Sequence, residues 1–243
     1  MAFNKNSSTF TFVFATIMVV VVGALLALVS LGLKDKQVKN ENDKKRIDIL
    51  GAIQVEASRT NAEGLFSQYV TDAFIINSKG ERLDGGEDAF SVDIKKDFRD
   101  KTLTDADKKY PVYRCEKDGE TLFVVPMVGK GLWGPIWGFV AIKDDMSTLY
   151  GAKFDHKSET PGLGAEIKEG FFTEKFANKT LSDGGKYFEI LKGGSVPSQP
   201  NQVDGITGGT ITSKGVEEMM NRTFGIYMEF FKNKGSEQAA LNQ

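Results

Sequence analysis

The stretch that most constrains this sequence is one without charge: no ionisable side chain lies between Asn6 and Leu33. Its apolar heart, Phe10 to Leu33, contains the run Val19-Val20-Val21-Val22. As a helix this segment would extend about 36 Å, against about 30 Å of bilayer hydrocarbon. The expectation is therefore a tail over residues 1–9 and a transmembrane helix over 10–33, in contact with lipid. A cleaved signal peptide is the rival reading, since Ser30-Leu31-Gly32 is a small-x-small triplet, but its apolar region would be shorter. Lys5 precedes the span, while Lys34, Lys36, Lys39, Lys44, Lys45 and Arg46 follow it. Taken alone, that balance places the downstream chain in the cytoplasm.

The rest has the make-up of a globular protein. Of its 243 residues 26% are charged and 40% hydrophobic, and the net charge of −2 gives no basic field for nucleic acid. A single cysteine, Cys115, rules out a disulfide within the chain and disfavours a cysteine metal site; it reads as a buried thiol. With one histidine, His156, neither a two-histidine metal site nor a Ser-His-Asp triad with spare bases is on offer. His156 reads as a surface residue.

Residues 34–58 are charged, with Val38, Ile47, Leu50, Ile53 and Ala57 at helical spacing, so a connecting helix is expected there. Phe74-Ile75-Ile76 reads as a strand ending in the turn Asn77 to Gly80, and the polar region Glu81 to Tyr110 as solvated surface. Tyr110 to Cys115, the turn Lys117-Asp118-Gly119 and Thr121 to Val128 form a hairpin pattern, and Ile136 to Ile142 a further strand. Asp144-Asp145 and Asp183-Gly184-Gly185 read as turns. Val216, Met219, Met220, Thr223, Ile226, Tyr227, Phe230 and Phe231 mark an amphipathic helix from about Ser213 to Lys232, with Ser213 as N-cap and the stripe as core. Residues 234–243 read as a flexible tail. The fold class is α+β: a twisted, mostly antiparallel sheet with packed helices, plus one N-terminal transmembrane helix.

Three glycine-rich stretches carry the chemistry. In Asp204-Gly205-Ile206-Thr207-Gly208-Gly209-Thr210-Ile211-Thr212, glycines allow close backbone approach and threonines supply hydroxyls. The helix that follows offers free amides and the positive end of its dipole. On these grounds the stretch is either a phosphate loop with a hydroxyl nucleophile or a tight turn. Gly129-Lys130-Gly131-Leu132-Trp133-Gly134-Pro135-Ile136-Trp137-Gly138-Phe139 links two strands and on its residues reads first as a buried β-turn, or else as a tight crossover with its tryptophans packed over it. Glu159-Thr160-Pro161-Gly162-Leu163-Gly164-Ala165-Glu166 could lie flat against a planar ring, or be an ordinary surface loop.

The stretch from Asp204 to Thr212 resembles the flavinylation motif D-G-x-[ST]-G-A-T-x-[ST] of the FMN-binding domain family. The other two are similar to that family's G-[KR]-G-L-W segment and its E-T-P-G-L-G-x-E loop. Gly209, smaller and looser, stands where the family usually has Ala. The resemblance implies an FMN-binding α+β domain over 59–233 with FMN joined to Thr210 through a phosphoester. It implies that Asp204, Thr207, Gly208, Gly209 and Thr212 shape or line the phosphate loop. Leu132, Trp133, Glu159, Thr160, Pro161, Gly162, Leu163 and Gly164 would lie near the flavin, and Lys214 could add charge.

Over most of its length the chain looks like the membrane-anchored flavoprotein subunits of Na+-translocating NADH:quinone reductases. The matching subunits of Rnf-type electron-transport complexes are the nearest alternative, and a tethered FMN-domain module without redox activity a further one. The resemblance implies other subunits of a multi-subunit membrane reductase complex as partners, no activity alone, and a flavin transferase for maturation. It places the domain on the outer, periplasmic side of a bacterial cytoplasmic membrane, against the charge count.

Overall fold

The structure, a computed structural model, describes residues 7–83, 87–183 and 185–241. Parts of both expected tails, 1–6 and 242–243, lie outside the described residues, as does Gly184 of the turn at Asp183. The chain forms two compact units, Met1–Lys45 and Arg46–Gln243.

The first unit is helical. Helix α1, Ser8–Ala52, runs without interruption through the apolar span and most of the charged segment expected as a separate helix, and its last residues belong to the second unit. It is long and apolar enough to cross a membrane, and Phe12, Val19, Leu26 and Leu31 are all exposed along it. The helix ends earlier than the pattern to Ala57 predicts, and the reason is local. Gln54 takes a left-handed φ of 57°, its amide donates to the Gly51 carbonyl, and the Val55 amide donates back to Leu50. That pair of bonds closes the last turn and turns the chain away.

The second unit is built on a five-stranded sheet in the order β1-β2-β3-β4-β5, antiparallel throughout. The strands are β1 (Val70–Ile76), β2 (Tyr110–Lys117), β3 (Glu120–Lys130), β4 (Pro135–Lys143) and β5 (Leu149–His156). Helices α2 (Ala62–Tyr69), α3 (Ile94–Arg99), α4 (Gly170–Thr173) and α5 (Thr210–Leu241) accompany it. Asp118 and Gly119, both at positive φ (53° and 82°), make the two-residue turn between β2 and β3, where the Asp-Gly pair predicts one. Strand β5 has no counterpart among the strands the sequence pattern marks. Short strands β6 (Glu189–Leu191) and β7 (Gln202–Asp204) pair in parallel in a second sheet.

Both faces of the main sheet are covered, and side chains alternate between two cores. Phe123, Val125 and Met127 of β3 point to one face, and Leu122 and Val124 to the other. The second face is closed by Ile49, Leu50 and Ile53 and by half-buried Leu65 and Phe66 of α2. The first is closed by α5 through Val216, Met219, Met220, Phe224, Tyr227 and Phe231. Each such side chain contributes about 1.5–3 kcal/mol by leaving water. The stripe is thus core, as its spacing predicts, with Phe224 and Met228 added to it. Helix α5 begins three residues before Ser213 and continues past Lys234 into the segment read as a tail. A second part of the first core is a phenylalanine cluster beside α4, in which Phe176 stacks on Phe188 at 5.2 Å and meets Phe154 edge-on at 5.1 Å.

The polar insert before β2 is not featureless. It holds a helical turn at Ala89–Ser91 and α3, whose N-cap Asp93 accepts from the Lys95 and Lys96 amides. Cys115 is fully buried, and burial pushes its thiol up to about 12.

Candidate functional site

The site forms where the three glycine-rich stretches meet. The β3–β4 turn presents the first. Its ends are closed by the Gly131 amide donating to the Gly134 carbonyl at 2.8 Å, and Leu132 and Trp133 stand out from it. Trp133 is 67% exposed, so the segment is neither a buried turn at this point nor a crossover with Trp133 packed over it. Its backbone is held at both ends. The Trp133 amide donates to Glu159 Oε1 (2.8 Å), and its carbonyl accepts from Ser158 Oγ (3.2 Å). With both backbone groups tied down, the indole is the part left free to face outward. Trp137 lies instead under Lys95, with Nζ 3.5 Å from the ring centre.

The second stretch is the loop after β5. The Thr160 carbonyl accepts from both the Leu163 and Ala165 amides, and Gly162, at φ +76°, donates its amide to Glu166 Oε1 at 2.7 Å. The result exposes Thr160, Pro161, Gly162 and Leu163 on one side while Gly164 and Glu159 turn inward. His156 is half-buried rather than a surface residue. Its Nδ1 accepts from the Glu159 amide (3.2 Å), so the proton of the ring sits on Nε2. Among the described residues, that Nε2 is the buried side-chain nitrogen without a partner.

The third stretch leads into α5. Asp204 is anchored away from the threonines: its Oδ1 accepts from the Ser195 amide (3.0 Å) and its Oδ2 lies 3.4 Å from Lys175 Nζ. Gly208 at φ +77° makes the turn that a side chain would resist. Ser213 is not the N-cap. It lies inside the first turn of α5, fully buried, and its hydroxyl accepts from the Ile206 amide at 3.1 Å, tying the helix back onto its own loop. Lys214 is also redirected, donating to the Ile190 carbonyl (2.6 Å) and to Glu217 (2.7 Å). A Cβ on Gly215 would overlap the Lys130 carbonyl, so only glycine lets α5 start this close to the β3–β4 turn.

What remains at the surface is a coherent set. Thr210 is the first residue of α5 and is exposed, as are Thr207 and Gly208. The amides of Thr210, Ile211 and Thr212 have no carbonyl to bond within the helix, because they open it. Apolar Leu132, Trp133, Leu163 and Ile211, on the three stretches that meet here, are each more than two-fifths exposed. Thr212, by contrast, is buried, and its hydroxyl donates to Glu159 Oε2 at 2.6 Å. Gly209 is buried too. A Cβ there would lie 2.9 Å from Ile206 Cγ2 and 3.1 Å from the Leu163 carbonyl, so the position is tight rather than loose. The arrangement suits a ligand with an anionic end on the helix N-terminus and a flat apolar body beside the exposed leucines and tryptophan.

That combination of antiparallel sheet, glycine-turned helix start and exposed threonine matches a known class: residues 131–224 match the FMN-binding domain family. Among curated proteins, the C subunit of the Na(+)-translocating NADH-quinone reductase from Pseudomonas aeruginosa is 30% identical over 240 residues, covering 90% of this chain and 92% of that protein. Its counterpart in Vibrio anguillarum is likewise 30% identical, over 89% of this chain and 90% of its own. The crystal structure of the C subunit from Parabacteroides distasonis superposes with a TM-score of 0.74 at 39% identity, covering 82% of this chain and 96% of the other. That of Shewanella oneidensis NqrC superposes with a TM-score of 0.70 at 26% identity, covering 81% and 99%. The chain belongs to the family of C subunits of the Na(+)-translocating NADH-quinone reductase.

Proposed function

We propose that this chain is the membrane-anchored flavoprotein subunit of a Na+-translocating NADH-quinone reductase, carrying FMN as a phosphoester on Thr210 and relaying electrons within the complex. The observation that carries the reading is Thr210 itself. It is an exposed hydroxyl with no partner among the described residues, on the first residue of a helix whose opening amides are free, inside the matched FMN-binding domain.

The residues present fit the group. A phosphate joined to Thr210 Oγ1 would be held by the amides of Ile211 and Thr212 and by the positive end of α5. Gly208, at positive φ and without a side chain, leaves room for Leu163 beside the turn. Thr207 adds a hydroxyl, and Gly209 packs the loop on Ile206. Leu132, Trp133, Thr160, Pro161, Gly162 and Leu163 offer an apolar and backbone surface for the ring, while Gly164, buried, backs the loop against Glu159 and Thr212. Asp204 braces the loop from behind through Lys175. Bound FMN supplies reversible acceptance and release of electrons. The protein's own contribution is to bind, orient and partly shield it.

Attachment requires a second enzyme. A flavin transferase using FAD and Mg2+ would form the Thr210 Oγ1–phosphorus bond and break the pyrophosphate bond, releasing AMP. The partners are then the other members of the complex, which supply and accept the electrons and couple them to Na+ export. Helix α1 anchors the chain in lipid through residues 10–33, and the domain faces the periplasm.

The test is intact mass of the full chain co-expressed with a flavin transferase, beside Thr210→Ala. A gain of one FMN less water, lost in the variant, is expected. An unmodified wild-type chain with a demonstrably active transferase would refute covalent attachment.

A further inference from the structure

Glu159 lies at the junction of all three glycine-rich stretches, yet it is only 5% exposed. One carboxylate oxygen accepts from the Trp133 amide of the β3–β4 turn, and the other from the Thr212 hydroxyl in the first turn of α5. Its own amide is held by His156 Nδ1. Two glycines leave the room it needs. A Cβ on Gly131 would come within 2.5 Å of Oε1, and a Cβ on Gly164 would overlap both Oε2 and the Thr212 hydroxyl. A carboxylate with both oxygens engaged, walled in on two sides, is poorly placed to receive a ligand, and its charge would oppose a nearby phosphate.

We infer that Glu159 is a positioning residue rather than a cofactor ligand: its buried carboxylate clasps the Leu132-Trp133 turn to the start of α5 and so assembles the surface on which flavin is attached at Thr210. The inference rests on the FMN reading above for its consequence, but not for the clasp itself. The clasp uses one acceptor for an N–H and one partner for a hydroxyl. An amide can supply both, its oxygen accepting from Trp133 and its NH2 donating to a re-aimed Thr212 hydroxyl. Geometry is therefore required and charge is not. Glu159→Gln keeps the clasp, while Glu159→Ala leaves the Trp133 amide and the Thr212 hydroxyl without partners.

The experiment uses the full chain in detergent, in a Trp137→Phe background so that Trp133 is the one tryptophan. Without transferase, fluorescence anisotropy decay reports the freedom of the Trp133 turn. With transferase, limiting-time intact mass reports the rate of FMN attachment. For Glu159→Ala the fast component of the decay grows and attachment slows about tenfold or more, as loss of bonds to a charged acceptor implies. Glu159→Gln restores both readouts. Thr212→Val, which keeps shape but removes one bond, falls between. Thr210→Ala abolishes attachment and leaves the decay unchanged. The clasp is overturned if Glu159→Ala matches the parent in anisotropy decay, or if Glu159→Gln behaves like Glu159→Ala. A parent chain that takes no FMN defeats the covalent reading alone, and the decay comparison still decides the clasp.

Discussion

Gly164→Ala should cost far more than one added methyl at an open glycine, and Gly162→Ala, two residues away, provides the scale. Gly164 carries no positive φ, so alanine fits its backbone, and fixing the unfolded chain would by itself add about 0.4–1 kcal/mol of stability. The new methyl, however, occupies the space of Glu159 Oε2 and the Thr212 hydroxyl and would sit 3.1 Å from Thr212 Cβ. Relief demands breaking the 2.6 Å bond between them, a hydrogen bond to a charged group worth about 1.5–3 kcal/mol, plus an overpacking cost of about 1–3 kcal/mol. The net expectation is a loss of about 2–5 kcal/mol. Gly162 is the opposite case, with φ +76° and nothing within 4 Å of its added Cβ, so Gly162→Ala costs only the left-handed strain of about 1 kcal/mol. Chemical denaturation of the full chain in detergent, comparing midpoints at matched slope, measures both. If Gly164→Ala costs no more than Gly162→Ala, the tight packing around Glu159 is not what holds the loop.

Thr210→Ser keeps a hydroxyl at the helix start and should still gain FMN mass, whereas the isosteric Thr210→Val should gain none. Burial raises the Cys115 thiol from 9.0 to about 12, so thiol reagents at mildly alkaline pH should label it only after unfolding, read as the difference between native and denatured absorbance assays. The same burial raises Tyr110 from 10.0 to about 12 and lifts Tyr113 and Tyr227 well above the ordinary phenol. These groups ionise first in the unfolded chain, so the stability they contribute is complete below pH 9 and is lost as pH rises toward 12, with phenolate absorbance appearing together with unfolding. Phe176→Ala, which removes the ring shared by Phe154, Phe172 and Phe188, should cost about 3–5 kcal/mol in the same denaturation assay.

Much of this architecture is legible in the sequence where a local rule governs it. The Asp118-Gly119 turn, the strands beside it and the apolar stripe of α5 follow from residue types and period alone. Strand β5 does not, because Leu149-Tyr150-Gly151-Ala152-Lys153-Phe154 has no β-branched residue and a mixed alternation; pairing with β4 across Val140↔Ala152 makes it a strand. Strands β6 and β7 are three residues each, too short to carry a period. The helix stop at Gln54 is hidden because a non-glycine residue takes the left-handed cap. At the site, the motif residues are visible, but which of them turn inward to hold the loops together is not. By residue type alone Thr210 and Thr212 look equivalent; the motif singles out Thr210, and the fold adds that Thr210 faces outward while Thr212 reaches 53 positions back along the chain to Glu159.

Gly209 shows why that division matters. Set against the alanine usual in the motif, a glycine here reads as a gap that would loosen the loop beside Thr210. In the fold there is no gap. Ile206 Cγ2 stands 2.9 Å from where the missing Cβ would be, the Gly209 amide donates to the Ile206 carbonyl at 3.0 Å, and the Ser213 amide returns to Gly209 at 2.9 Å. A branched side chain three positions earlier has taken the volume, so the first turn of α5 is fixed by packing from Ile206 and by the Ser213 hydroxyl on the Ile206 amide. A threonine that carries a phosphoester needs a rigid start to its helix more than it needs a particular neighbour, because the amides that meet a phosphate are useful only if they do not move. Ile206 and Ser213 supply that rigidity from below, Glu159 supplies it from the side, and the outward face is left to Thr210.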